Sequence, residues 1–446
     1  LEPSINRAGI TPANLEGSMA ENMPRRVAIV GGARIPFCRS NTKYSHQSNQ
    51  DLLTAALKAL SEKYKLAGKQ VGEVAGGAVL KHARDFNLTR EAVLGTDLDP
   101  HTPAFDVQQA CGTSLEATLL IANKIAMGQI DCGIAGGVDT TSDAPIAINE
   151  DLRKILLDVN RAKTGGERAK LLAKLRPRHL VPNFPGVSEP RTGLSMGEHC
   201  ELMAKEWKIS RKAQDELAVA SHKAAAQAYV DGFYDDLVFP YLGVERDNNM
   251  RPDTSVEQLA KLKPAFDKEN GTLTAANSTP LTDGASSVFL CSEEYAEANN
   301  LPVQAFFTPY SRTAAVDFVD GGEGLLMSPT YAVADMLDAA GLTLQDFDFY
   351  EIHEAFAAQV LCTLKAWESK KYCKERLGRD TPLGSIDTSK LNVKGSSVAL
   401  GHPFAATGTR IVATLAKILD ENGGGRGLIS ICAAGGQGVT AILEKP

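Results

Sequence analysis

Cys111 lies in Asp106-Val-Gln-Gln-Ala-Cys111-Gly-Thr-Ser-Leu115, where an extended run stops and a helical pattern begins. A thiol at a helix N-terminus faces unpaired backbone N–H groups and the positive end of the helix dipole, and both favour thiolate. Other reactive groups stand far away in sequence, in Gly401-His402-Pro403, in Ile431-Cys432-Ala-Ala-Gly-Gly-Gln-Gly438 and at the head of His353-Glu-Ala-Phe356. A nucleophilic cysteine, a base to activate it and a second thiol for proton transfer suit acyl transfer on thioesters. Taken singly, His402 reads as a turn histidine, Cys432 as packing and His353 as a helix start. Together they fall at the carboxyl ends of expected strands, where α/β sheets gather ligands and catalytic groups.

The glycine clusters fit no nucleotide motif. Gly31-Gly32 lacks GxGxxG, and Gly435-Gly436-Gln437-Gly438 lacks the Lys-Ser/Thr of a P-loop. The second is expected to form a tight turn that brings backbone N–H groups near a ligand oxygen.

The elements that must hold these residues follow from periodicity. Strands are expected over 26–31, 74–80 and 132–138, with helical spacing over 50–60 and 115–126. That alternation implies βαβ units and a mainly parallel sheet. Between about 149 and 273 the texture changes. Residues 151–178 hold nine Lys/Arg against three Asp/Glu, with Leu and Ile at helical spacing. A proline-rich stretch and a helix over 211–231 follow. Strand patterns return at 273–275 and 287–291. From Leu301 the first arrangement repeats, with strands over 347–352, 397–400, 428–431 and 439–443 and a helix over 409–420 stopped by Gly423. The unit from Cys111 to Val138 matches that from His402 to Val439. We therefore expect a duplicated α/β chain: a polar arm (1–25), one half (26–148 with 274–300), a helix-and-loop insertion (149–273) and a second half (301–446).

Composition sets the outer bounds. The chain has 446 residues and a net charge of −7, which argues against a general nucleic-acid binder. No apolar run is long enough for a transmembrane helix. The first 26 residues carry no secretory h-region. Eight cysteines without CxxC pairs suggest free thiols in a reducing compartment, so a cytoplasmic location and no metal site are expected. The basic 151–178 segment reads first as a solvated helical face; contact with a phosphate-bearing ligand or an anionic membrane is its functional alternative.

Six stretches together resemble the thiolase superfamily, above all the 3-ketoacyl-CoA thiolases of the trifunctional-protein β-subunit type. They are Gln109-Ala-Cys111, Ala135-Gly-Gly-Val138, Leu273-Thr-Ala-Ala-Asn-Ser-Thr-Pro-Leu-Thr-Asp-Gly284, His353-Glu-Ala-Phe356, Ala399-Leu-Gly-His-Pro403 and Cys432-Ala-Ala-Gly-Gly-Gln-Gly438. The resemblance implies a layered α-β-α-β-α fold and coenzyme A as a substrate, with no tightly bound cofactor. It also implies roles. Cys111 would attack the thioester and carry the acyl group. His402 would take its proton and help line an oxyanion pocket, and Cys432 would be the second acid/base. His353, where many thiolases have Asn, would help hold the thioester oxygen. The backbone N–H groups of Cys111 and Ala434 would form a second oxyanion hole. Thr279 matches a serine that meets the pantetheine arm, and Met196 lies in a loop lining the acyl pocket.

Three departures stand out. His353 replaces Asn and points to a subfamily. Ala433-Ala434 replaces glycines, so the second hole needs angles that alanine can adopt. Ser195 stands where some acetoacetyl-CoA thiolases carry histidine. The family also implies a homodimer or homotetramer, and by analogy with β-subunits a hydratase/dehydrogenase partner or a peripheral membrane contact. A short-chain acetoacetyl-CoA thiolase is the alternative. A ketoacyl synthase is disfavoured by Cys432 and His-Glu-Ala-Phe, and a silent binding protein by the joint presence of Cys111, His402 and Cys432.

Overall fold

The computed structural model describes residues 24–446. The polar arm expected over 1–25 lies outside the described residues except for Pro24 and Arg25. Arg25 is already tied to the body, by its backbone N–H to Ala126 and its guanidinium to Asp131.

The first half runs β1 (Val27–Arg34), β2 (Cys38–Arg39), α1 (Asn49–Tyr64), β3 (Glu73–Gly76), α2 (Leu88–Leu94), β4 (Ala104–Asp106), α3 (Thr113–Ala126) and β5 (Cys132–Asp139). Five helices follow: α4 (Glu150–Arg161), α5 (Gly165–Leu172), α6 (Met196–Glu206), α7 (Arg211–Val230) and α8 (Val256–Leu259). The chain then returns to the sheet in β6 (Thr282–Ser292) and α9 (Glu293–Ala298). The second half runs β7 (Ala305–Phe307), β8 (Arg312–Ala315), α10 (Ser328–Ala340), β9 (Phe349–Ile352), α11 (Ala357–Glu368), α12 (Lys370–Glu375), α13 (Ser397–Leu400), α14 (Thr407–Glu421), β10 (Gly425–Ala433) and β11 (Gln437–Lys445).

The strands lie in the order β4-β3-β5-β6-β1-β7-β11-β10-β9, with β2 beside β6 and β8 beside β11. Short β7 joins the sheets of the two halves. The sheet is mixed, not mainly parallel. Only β3–β4, β3–β5 and β9–β10 pair in parallel. Periodicity carries no strand direction, and two features reverse it. The three-residue turn Ala434-Gly435-Gly436 makes β10 and β11 a hairpin, and β6 arrives antiparallel to both β5 and β1 after the long helical excursion.

Helices α3 and α14 form the middle layer. One apolar cluster joins them to the inner faces of β1, β5, β6, β10 and β11. A second packs α1 and α2 outside the first sheet, and a third packs α10 and α11 outside the second. This is the α-β-α-β-α layering. The helix expected over 409–420 is α14, yet it is not amphipathic in use: every residue from Thr407 to Leu419 is buried. Gly408 permits this, because a Cβ there would sit 2.2 Å from the Leu115 backbone N. The close approach brings the starts of α3 and α14 together.

Three expected strands differ. The strand over 74–80 stops at Gly76, because the Asp139 carboxylate takes the N–H groups of Val79 and Leu80. Residues 273–275 are loop, since Glu201 and Asn277 accept their backbone N–H groups. Residues 397–400 form the short helix α13, with Glu354 accepting from Val398 N and Gly401 (φ +105°) ending it. A four-residue apolar run does not distinguish strand from helix.

Candidate active site

Cys111 and His402 meet across the halves. Cys111 lies in the 3₁₀ turn Ala110–Gly112 that leads into α3, and His402 stands just before the 3₁₀ turn Phe404–Ala406 that leads into α14. His402 Nε2 lies 3.1 Å from Cys111 Sγ. The residue before the nucleophile, Ala110, has φ +45°, a left-handed conformation that costs an alanine about 1 kcal/mol or more. Such stored strain is characteristic of a side chain held in a fixed orientation at a functional turn. Asp139 links the halves beneath this turn by accepting from Ala405 N at 2.8 Å as well as from Val79 and Leu80.

His353 follows β9 as expected and is fully buried. Its ring lies 4.2 Å from that of His402, centroid to centroid. Its Nδ1 is paired with Ser397 Oγ at 2.8 Å, while its Nε2 has no partner. His402 Nδ1 is paired with Thr407 Oγ1 at 2.6 Å. Cys432 is buried at the end of β10, close enough that Cys111 raises its pKa. The structure thus brings Cys111, His353, His402 and Cys432 into one pocket. One atom each from Cys111, His353 and His402 lies within 4.8 Å of the others, a donor set that suits acid–base work and that a soft divalent cation could also use.

Burial sets the protonation states and corrects one expectation. Desolvation, reinforced by Asp139, pushes the Cys111 thiol up to about 12, although backbone N–H groups of Ala434 and Cys111 pull it down. The resting group is therefore a thiol. Loss of solvent outweighs the backbone N–H groups that would favour a thiolate at this turn. Desolvation and then Arg410 push His402 down to about 3, so it is a neutral base at neutral pH. Desolvation, then His402 and Arg410, hold His353 well below the usual imidazole range. Desolvation and then Cys111 keep Cys432 a thiol.

The second-hole N–H groups of Cys111 and Ala434 both face the sulfur. Neither Ala433 nor Ala434 has positive φ; Gly435 (+78°) and Gly436 (+70°) carry the turn. Alanine therefore suffices at those two positions.

Thr279 joins two motifs. Its N and Oγ1 both donate to Ala355 O, each at 3.1 Å, which leaves its oxygen free to accept from an incoming amide. The same loop bridges Ser278 to Phe356 and Leu281 to His402, and Thr282 Oγ1 accepts from His402 N. Met196 begins α6 and packs on the apolar cluster that contains Cys432, Met203, Leu326 and Phe356. Ser195 is the N-cap of α6, accepting from Glu198 N, which explains a serine at that position.

Several site residues carry no local sequence signal. Glu189 accepts from Gly435 N at 2.9 Å and fixes the glycine turn. Arg410, Ser397 and Thr407 lie behind the two imidazoles. Gln109 and Gln437 flank the two cysteine motifs and bond each other at 3.2 Å, a pairing their matching positions could have suggested. A cavity of about 610 Å³ opens beside the site, lined by Arg39, His222, Asn249, Arg251, Ser278 and Val398 among others. Ser278 Oγ is buried there without a partner. None of residues 151–178 lines this cavity.

A duplicated five-layer α/β fold with a cysteine–histidine pair at the junction of its halves and a second thiol behind defines the class. The family model for the thiolase N-terminal domain matches residues 27–294, and that for the thiolase C-terminal domain matches 308–445. The chain belongs to the thiolase family. It is 43% identical over 425 residues to a 3-ketoacyl-CoA thiolase of Shewanella sp. (strain W3-18-1), covering 94% of this chain and 97% of that one. A 3-ketoacyl-CoA thiolase of Alteromonas mediterranea is also 43% identical, over 427 residues and with the same coverage. Among solved structures, human mitochondrial 3-ketoacyl-CoA thiolase superposes with a TM-score of 0.77 at 28% identity, covering 95% of this chain and 99% of that one. Bacillus anthracis acetyl-CoA acetyltransferase gives 0.78 at 28% identity with the same coverage.

Proposed function

We propose that this acyltransferase is a 3-ketoacyl-CoA thiolase, cleaving its substrate with CoA into acetyl-CoA and a shortened acyl-CoA. The observation that carries the reading is the 3.1 Å contact between the neutral His402 base and the Cys111 thiol, with His353 and Cys432 at the same pocket. His402 Nε2 takes the Cys111 proton as Sγ attacks the C3 carbonyl. The oxyanion that forms is met by the N–H groups of Cys111 and Ala434. The C2–C3 bond then breaks. The acyl group stays on Cys111, and the acetyl-CoA enolate leaves with its thioester oxygen held by protonated His402 and by His353. The Cys432 thiol protonates the enolate carbon. The CoA thiol gives its proton to the Cys432 thiolate as its sulfur attacks the acyl-enzyme, the Cys111–acyl bond breaks to release the shortened acyl-CoA, and protonated His402 returns its proton to Cys111. The reverse Claisen condensation uses the same groups, with Cys111 attacking the thioester.

The CoA moiety would occupy the cavity beside Thr279. Arg39 and Arg251 offer charge to phosphate, and Ser278 offers its spare hydroxyl. His222, pushed down to about 4 by burial and then by Arg251, serves there as a neutral group. The apolar cluster at Met196 and Cys432 would take the acyl chain. In this reading the enzyme holds no tightly bound cofactor, acts in a reducing compartment such as the cytoplasm and works as a homodimer or homotetramer. All eight cysteines are free, which fits that compartment. Among the described residues no helix is long and apolar enough to cross a membrane.

The test is thiolysis of 3-ketoacyl-CoA substrates from C4 to C16. Activity should extend beyond C4. Turnover confined to acetoacetyl-CoA would assign the short-chain acetyltransferase instead, and none at any length would remove the thiolase reading.

A further inference from the structure

His353 can serve as an oxyanion donor only if its proton sits on Nε2. Where other thiolases carry asparagine this question does not arise, because an amide NH₂ always donates. An imidazole must be set in one of two tautomers. The hydrogen bonds behind His353 decide which.

Ser397 Oγ has two partners, His353 Nδ1 at 2.8 Å and Arg410 Nη2 at 2.6 Å. Ser397 and His353 are fully buried and Arg410 almost so. Arg410 can only donate, so the serine oxygen is an acceptor on that side. The serine hydrogen then has a single acceptor in reach, His353 Nδ1. If Nδ1 carried the proton instead, the Ser397 hydroxyl hydrogen would be buried with nothing to meet, at a cost of the order of a lost hydrogen bond. The unpartnered Nε2 of His353 is then an N–H with no partner among the described residues, on a ring that stands beside Cys111 and His402.

We propose that Arg410, acting through Ser397, is a positioning residue that locks His353 as the Nε2–H tautomer. His402 contrasts with it: its Nδ1 meets only the Thr407 hydroxyl, which can donate or accept, so Nε2 is free to take and return a proton. One imidazole is a fixed donor and its neighbour a switchable base. The Arg410 charge, which also opposes protonation of both rings, supports the division.

The proposal rests on the thiolase reading for its kinetic consequence but not for the tautomer itself. Nitrogen NMR of the whole protein labelled with ¹⁵N-histidine reads the tautomer directly, the His353 signals being assigned by their loss in His353→Asn. Wild-type enzyme should show Nε2–H. Ser397→Ala should let the Nδ1–H form appear and lower kcat for thiolysis about tenfold, below the 10²–10³ of deleting an oxyanion donor, with KM changed less than about twofold. Ser397→Thr, which keeps the hydroxyl, should restore both. Arg410→Met should shift the tautomer as Ser397→Ala does, provided thermal melting shows it folded. An Nδ1–H tautomer in the wild type, or an unchanged tautomer in Ser397→Ala, would overturn the proposal. A shifted tautomer with unchanged kcat would support the hydrogen-bond chain and overturn instead the use of His353 as an oxyanion donor.

Discussion

Around Cys111 the polar side chains are buried and held by one another; along α4 and α5 no residue is buried at all. The pocket floor spends Arg410, Ser397, Thr407 and Asp139 on orienting two imidazoles and a turn. The α4–α5 segment pairs much of its charge locally, Glu150 with Arg153 and Asp158 with Arg161, contacts worth little in water. It also leaves Leu180, Val181, Phe184 and Val187 exposed. An antiparallel bridge, Ala147 to Asn183, ties the two ends of this segment together. The difference teaches that charge in this chain does chemistry where solvent is removed. Where solvent remains, it pairs with its own helix neighbours beside exposed apolar side chains.

That contrast can be broken from either side. On the floor, His402→Ala should have a very large effect, slowing acylation by about 10³–10⁴-fold, because among the described residues it is His402 that lies within hydrogen-bonding distance of Cys111 Sγ, whereas His353 Nδ1 is paired with Ser397. Stopped-flow or quenched acylation with acetyl-CoA measures it. His353→Ala should cost about 10²–10³ in kcat for thiolysis with a smaller change in KM, as removal of one oxyanion donor does. Gly408→Ala should lower stability by about 1–3 kcal/mol in urea unfolding, because the new methyl meets the Leu115 backbone, and should lower activity by parting Cys111 from His402. On the α4–α5 segment, replacing residues 149–181 with a short Gly-Ser turn should change kcat for a C4 substrate by less than about twofold. A large loss there would show that the segment shapes the pocket and would erase the contrast.

The acid limb of acylation sharpens the point. A buried histidine at about 3 stays deprotonated, and hence a competent base, as pH falls through 6.5; it is lost only on approaching that lower value. The Cys111 thiol at about 12 sets no basic limb below that. Acylation by acetyl-CoA, read by quenched mass measurement, should therefore be level from about pH 5 to 9. An inflection near 6.5 would mean that solvent reaches the imidazole.

What the sequence made legible was which residues come together. Cys111, His353, His402 and Cys432 stand at element ends beside small residues, and that local grammar survives folding. The duplication was legible for the same reason, since the two units each give a reactive residue followed by a middle-layer helix. Quantities set by distant elements were not. Arg410 sits in an apolar helical run where nothing local says it will be buried. The thiol form of Cys111 depends on solvent excluded by the other half. Strand direction depends on a three-residue turn and a long excursion, and residues 397–400 become helix because Glu354, far back in the chain, takes one of their N–H groups.

The central claim is that Cys111 carries the acyl group. Intact-mass measurement after brief mixing with acetyl-CoA tests it most directly. The wild type should gain one acetyl group, mapped by peptide to Cys111, and Cys111→Ala should gain none. No adduct on the wild type, or an equal adduct on Cys111→Ala, would contradict it.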